Sequence, residues 1–248
     1  MSVINTQAVV LKALKFKEND IILTLFTRNY GKVSAIARGA QKPKSKLIAT
    51  SQVFSYNNYV LRKQNDMYVV YQSDSIKSFY NIATDFDAFS YASFIMKLVE
   101  GVLVEGQTNN RLFVLLVRTL FLYSEGVDNP KFILDAFIVK FLDYTGFKPN
   151  VDACTSCSST NYRKAVFSIS DGGIVCDKCI KKQENYLKID QTTIRLMQYI
   201  LKNDIIDINK AEVAKVLVDE LFFLLKKYLI NYFEYINFKS IDMLKNLT

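Results

Sequence analysis

Apolar and polar residues alternate in short runs along the first 80 positions. VINTQAVVLKALKF (3–16), DIILTLFT (20–27), KVSAIARG (32–39), VFSYNNYVL (53–61) and DMYVVYQSDS (66–75) are rich in Val, Ile, Tyr, Phe and Thr. Charged or turn residues separate them, so each reads as a β-strand. Asn29-Tyr30-Gly31 lies between the second and third runs, where a hairpin needs a residue at positive φ. Five strands in so short a span suit a small barrel of the OB type, with an SH3-like barrel as the alternative. From about residue 85 the period changes. DFDAFSYASFIMKLVEGVLVE, RLFVLLVRTLFLYSEG and KFILDAFIVKFLDYTG place apolar residues three and four apart, as helices do. Gly126 and Gly146 fall at C-terminal caps, and Asn129-Pro130 suits a helix start. TTIRLMQYILKND and AEVAKVLVDELFFLLKKYLINYFEYI supply two further helices. The expectation is an α+β chain: a barrel over 1–80, a helical domain over 81–149 and 186–248, and an insert at 150–185.

Charge adds a second pattern. The net charge is +8, and residues 1–80 hold all of it, with 12 Lys/Arg against 4 Asp/Glu. Residues 28–46 contain Arg28, Lys32, Arg38, Lys42, Lys44 and Lys46 and no acid. Such asymmetry points to a polyanionic partner, either a nucleic acid or a membrane surface. No helix concentrates basic residues on one face, which disfavours the membrane. Tyr30, Tyr56, Tyr59 and Tyr68 fall in the expected barrel and are candidates for stacking on unpaired bases. Phe132, Phe137 and Phe141 have helical core spacing and read as packing.

The chain has no histidine. Ser-His-Asp and Cys-His catalysis and histidine-bound catalytic zinc are thereby excluded. A carboxylate–Mg²⁺ nuclease would need paired acids near the basic region. Glu18 and Asp20 are the nearest such pair, and they read better as a strand-to-turn corner or as partners of Lys17 and Arg28. The amino terminus lacks a basic segment followed by a long apolar block, and no apolar run is long enough to span a bilayer. A soluble cytoplasmic protein is the expectation.

All four cysteines fall in the insert, as Cys154-x2-Cys157 and Cys176-x2-Cys179 with 18 residues between the pairs. Two such knuckles at this separation are a strong signature of one tetrathiolate zinc ion, which would be structural because no coordination position is left open. Two disulfides would require an oxidising compartment. Between the knuckles, AVFSISDGGIVC reads as a hairpin. Arg163, Lys164, Lys178, Lys181 and Lys182 would add basic charge to such a ribbon.

These parts together resemble the RecO family of bacterial recombination mediators. VVLKALKFKENDIILTLFTRNYGKVSAIARGAQKPKSK is similar to that family's opening, FIVKFLDYTGFKPNVDACTSC to its helix and first knuckle, and GGIVCDKC to its second. The resemblance covers essentially the whole chain. It implies an amino-terminal OB-fold, a helical domain with an embedded zinc ribbon, and activity without catalytic residues. It further implies binding of single- and double-stranded DNA, annealing of complementary strands, and contact with the acidic tail of single-strand binding protein. Cooperation with RecR to help RecA load, close to the nucleoid, belongs to the same implication. An RNA-binding or translation-associated module is the rival, since OB-folds and zinc ribbons both occur there.

Overall fold

The computed structural model describes residues 2–65, 67–181 and 185–233. Its contacts divide the chain into two compact units, Met1–Val127 and Asp128–Thr248. In the first, five strands form a closed barrel: β1 (Val3–Phe16), β2 (Asp20–Thr27), β3 (Gly31–Ala37), β4 (Ser55–Gln64) and β5 (Met67–Ser78). β1 pairs antiparallel with both β2 and β4, and β3 closes the barrel by running parallel to β5. This is a five-stranded barrel of the OB type. The alternation dictates what lies inside. Ile4, Ala8, Val10, Leu23, Leu25, Val33, Ala35, Tyr59 and Leu61 make the barrel core.

Two helices complete this unit, α1 (Phe86–Val102) and α2 (Asn110–Glu125). Asp85 and Asn109 cap them by accepting from the N–H groups of Ala88 and Leu112. The end of β2 is buried on its outer side as well, where Phe26 meets Phe113 of α2 edge-on with ring centroids 5.3 Å apart. Gly31 opens β3 at φ 66, and a Cβ there would lie 2.3 Å from the carbonyl oxygen of Gln107. Only glycine fits this close approach.

The second unit is built around α3 (Pro130–Tyr144), whose residues 132–142 are all buried. A helix apolar on every side is a core helix, and it packs against α4 (Gln191–Lys202), α5 (Ile205–Ile208) and α6 (Lys215–Tyr232). Asn129 caps α3, with Pro130 in its first turn. Gly146 ends it at φ 89. There Gly146 N–H donates to Asp143 O and Phe147 N–H to Leu142 O, a Schellman closure. The insert contributes β6 (Ala165–Ser168) and β7 (Gly173–Cys176) to a three-stranded sheet in the order β7-β6-β8, and β8 (Tyr186–Lys188) carries that sheet past the expected boundary at 185. The expected hairpin is β6–β7. β8 and α5 were too short for the periodicity to register. The final helix begins at Lys215 rather than near 211, and its expected end at 236 lies outside the described residues. Among the described residues no helix is long and apolar enough to cross a membrane.

Candidate functional site

The four cysteines converge. Their sulfurs all lie within 4.8 Å of one another, and none is in a disulfide. Cys157 Sγ and Cys176 Sγ, from different knuckles, are 3.8 Å apart. That is the edge of a tetrahedron whose centre lies about 2.3 Å from each sulfur, the zinc–thiolate distance. The backbone builds this arrangement locally. Ser158 N–H donates to Cys154 O and Cys179 N–H to Cys176 O, closing each knuckle into a turn. Thr155 N–H donates to Ile174 O, which ties the first knuckle to β7, and Cys176 N–H points at Cys154 Sγ at 3.3 Å.

The donor set is charged accordingly. Burial pushes the Cys154 thiol up, yet N–H groups of Cys176, Cys157 and Ser156 and the Cys157 thiol outweigh it and hold it at about 6. Hydrogen bonds with the Cys157 and Cys176 sulfurs push Cys179 up to about 12. A divalent cation bound by this set would displace the protons that the thiols hold. The residues present therefore fit a tetrahedral, thiolate-preferring ion.

The basic stretch divides into two groups. β3 separates them by about 20 Å, at roughly 3.3 Å per residue. At its start, Arg28 donates through Nη1 to Gln7 Oε1 at 3.1 Å, and Lys32 Nζ donates to the carbonyl of Glu100 at 3.2 Å. Lys32 thereby satisfies a carbonyl in the last turn of α1, so it serves the fold. At the other end, Arg38 donates to Gln64 Oε1 at 2.8 Å. The loop that follows is pinned. Gly39 N–H donates to Asp20 Oδ1 at 2.8 Å, and Gln41 donates from its backbone to Asn19 O and from its side chain to Asp20 O, both at 3.0 Å. Ala40 and Leu47 pack onto the barrel core. Lys42, Lys44 and Lys46 are left exposed with no partner among the described residues. Asp20 is thus the loop's anchor, not the partner of Lys17 or Arg28.

The tyrosines also divide. Tyr59 is 2% exposed, inside the barrel, where its hydroxyl donates to Thr50 O and accepts from Asn57 Nδ2. It cannot reach a base. Replacing it by Phe removes a buried hydrogen bond and should lower stability by about 1–2 kcal/mol. Single-strand affinity should stay unchanged, as denaturant melts and binding titrations of one preparation would show. Tyr56 is half-buried against α2, edge-on to Phe113, with its hydroxyl on Gln7 Oε1 at 2.8 Å. Tyr68 packs on the barrel core, and Tyr30 is 36% exposed at the β2–β3 turn. The most open aromatic of the barrel strands, Tyr71 at 60%, carries no charge signal around it in the sequence. Arg62 lies over its ring, 3.6 Å from the centroid. A groove of about 680 Å³ on the barrel, which neither Arg62 nor Tyr71 lines, has amides as half of its lining, Asn5, Gln7, Asn29, Asn58 and Asn110, beside Thr6, Tyr59, Val60 and the charges of Arg28 and Asp74.

In the ribbon, Arg163, Lys164, Lys178 and Lys181 are exposed, and Lys182 lies outside the described residues.

Comparison with known proteins covers both units. The family model described as "Recombination protein O N terminal" matches residues 1–79, and that described as "Recombination protein O C terminal" matches residues 83–241. The DNA repair protein RecO of Alkaliphilus metalliredigens is 39% identical over 98% of this chain and 99% of its own length. Its counterpart from Acetivibrio thermocellus is 34% identical over 100% of this chain and 98% of its own. That of Clostridium acetobutylicum is 30% identical over 98% of each.

Proposed function

From the premise that this chain belongs to the RecO family of DNA repair proteins, we propose that it is a DNA-binding recombination mediator that works without catalysis. The observation that carries the reading is the loop of Lys42, Lys44 and Lys46. These are three exposed cations without internal partners, held by Asp20 at one end of an OB-type barrel. Cations so placed meet phosphates, which fix register and carry no sequence code. Binding is then tolerant of sequence and sensitive to salt. A surface that neutralises two strands lowers their repulsion and lets complementary bases pair, which is annealing. Arg28 and Arg38 keep guanidinium donors beyond their single hydrogen bonds and extend the contact. Tyr30 is the one of the four expected tyrosines open enough to stack.

Residues 1–80 are the DNA-binding domain in this reading and residues 81–149 and 186–248 the helical part of the chain, of which α1 and α2 belong to the same compact unit as the barrel. Residues 150–185 hold one structural Zn²⁺ through Cys154, Cys157, Cys176 and Cys179. The mediator acts in the cytoplasm with RecR, meets the acidic tail of single-strand binding protein, and helps RecA load onto covered strands.

The test is annealing of two complementary labelled strands, followed by fluorescence transfer with and without Mg²⁺. Faster pairing with no cleavage is expected, and matched RNA strands should compete less well than DNA. Preferential binding of RNA would move the protein to a translation-associated role. Cleavage would make it a nuclease.

A further inference from the structure

The outer face of β1, β4 and β5 carries features that phosphate binding does not use. Along β4, Asn58, Val60 and Arg62 point out while Asn57, Tyr59 and Leu61 point in. On β1, the outward residues Val3, Asn5 and Gln7 pair with Arg62, Val60 and Asn58. The amide groove and the Arg62–Tyr71 pair therefore share one face. The pair stands two residues along β4 from Val60, or about 7 Å. A register shift between Val60 and Leu61 leaves Tyr71 without a partner on β4, and this irregularity turns the ring outward onto Arg62.

The groove is nearly neutral, with Arg28 set against Asp74. Its chemistry is hydrogen bonding. Gln7 Oε1 accepts from both Arg28 and Tyr56, so its amide orientation is fixed and its NH2 donors are left over. Asn5 and Asn58 have no partner among the described residues. A neutral row of amide donors and acceptors beside an exposed planar stack suits nucleobases, whose edges bond to amides and whose faces stack on aromatic rings and guanidinium planes.

We infer that this face is a subsite for unpaired nucleotides: one base stacks on the Arg62–Tyr71 pair and its neighbour's edge meets Asn5, Gln7 and Asn58. The inference rests on the DNA-binding reading and adds to it a surface for bases, separate from the lysine loop for phosphates. A strand held by its bases stays on the protein when salt weakens the phosphate contacts.

The experiment compares the full chain with Tyr71→Ala and Tyr71→Phe. Each is titrated with a single strand of about 30 nucleotides, long enough for at least one OB-type site, carrying one fluorescent 2-aminopurine. Tyr71→Ala should lose affinity by roughly 5- to 150-fold, the range of one base–aromatic stack. Its salt slope should be unchanged, because no phosphate contact is lost, and quenching of the 2-aminopurine should disappear. Tyr71→Phe should restore both, and duplex DNA should bind all three alike. If Tyr71→Ala keeps natural affinity and quenching while removal of the loop lysines still weakens binding, the subsite is wrong and the DNA-binding reading stands. If the natural protein binds no single strand, that reading fails and takes the subsite with it. Equal weakening of duplex and single strand would also overturn the subsite, since paired bases offer no free face.

Discussion

Serine at both Cys154 and Cys176 should abolish metal binding and unfold the ribbon. Purified natural protein, never exposed to chelator, should contain about one zinc per chain by elemental analysis, as four thiolates at one site require. The double variant should contain none. The effect is large on the knuckle side of the sheet, while the other side stays anchored where Phe167 meets Tyr228 of α6 edge-on. Its strands are four, four and three residues long. Its own cluster is Val175 with the two buried cysteines, flanked by Tyr162, Val166 and Tyr186. So small a core does not by itself offset the entropy of ordering the knuckles. Zinc bound to four thiolates supplies an apparent 10–16 kcal/mol, roughly, in isolated fingers. Amide exchange at Val166 and Val175 should therefore rise from protected to open in the variant, and the same should follow from prolonged chelation. A natural protein without stoichiometric metal would refute the site. A variant that keeps its fold and loses only DNA affinity would instead assign the ribbon's Arg163, Lys164, Lys178 and Lys181 to DNA contact.

The features legible in the sequence are those set by local physics. Strand limits came from alternation, and β1 and β2 fall where the pattern puts them. The helix caps at Asn129, Gly126 and Gly146 came from backbone chemistry that acts within four residues. The cysteine spacing identified the cluster of four sulfurs because each knuckle is a single turn. What stayed hidden depends on partners distant in sequence. Lys32 reads as a free cation until Glu100, 68 positions away, presents its carbonyl. Tyr59 reads as a surface residue because its inward neighbours, Ser55 and Asn57, are polar, so the alternation carries the wrong sign. Asn57 sits inside with its two Nδ2 hydrogens directed at Ser55 Oγ and Tyr59 Oη. Tyr71 turns outward at a register shift, which no single strand reveals. The same limit explains why six cations close in sequence form two groups. A strand carries its two ends apart, and sequence proximity across it does not make a patch.

Alanine at Lys42, Lys44 and Lys46 together should weaken single-strand binding by about 100-fold at 0.1 M salt and make the salt dependence shallower. The argument is counterion release. Each phosphate neutralised on a single strand contributes about −0.7 to the slope of log affinity against log salt. Three lost contacts remove roughly two units of slope, and at one-tenth molar that is roughly two decades of affinity. The three side chains make no hydrogen bond or ion pair among the described residues, and all are exposed. Their removal therefore leaves the fold intact. Gly39 stays bound to Asp20, and Ala40 and Leu47 stay on the core. Unchanged circular dichroism and melting temperature should accompany the loss, measured by anisotropy of a labelled strand across a salt series. Replacing Asp20 by Ala gives the converse case: the cations remain but the loop loses its anchor, so affinity should fall while the slope stays near its natural value. Unchanged affinity and slope in the triple variant would show that this loop is a solvated face, and the phosphate contacts would then fall to Arg28 at the far end of β3 and Arg38 at its near end.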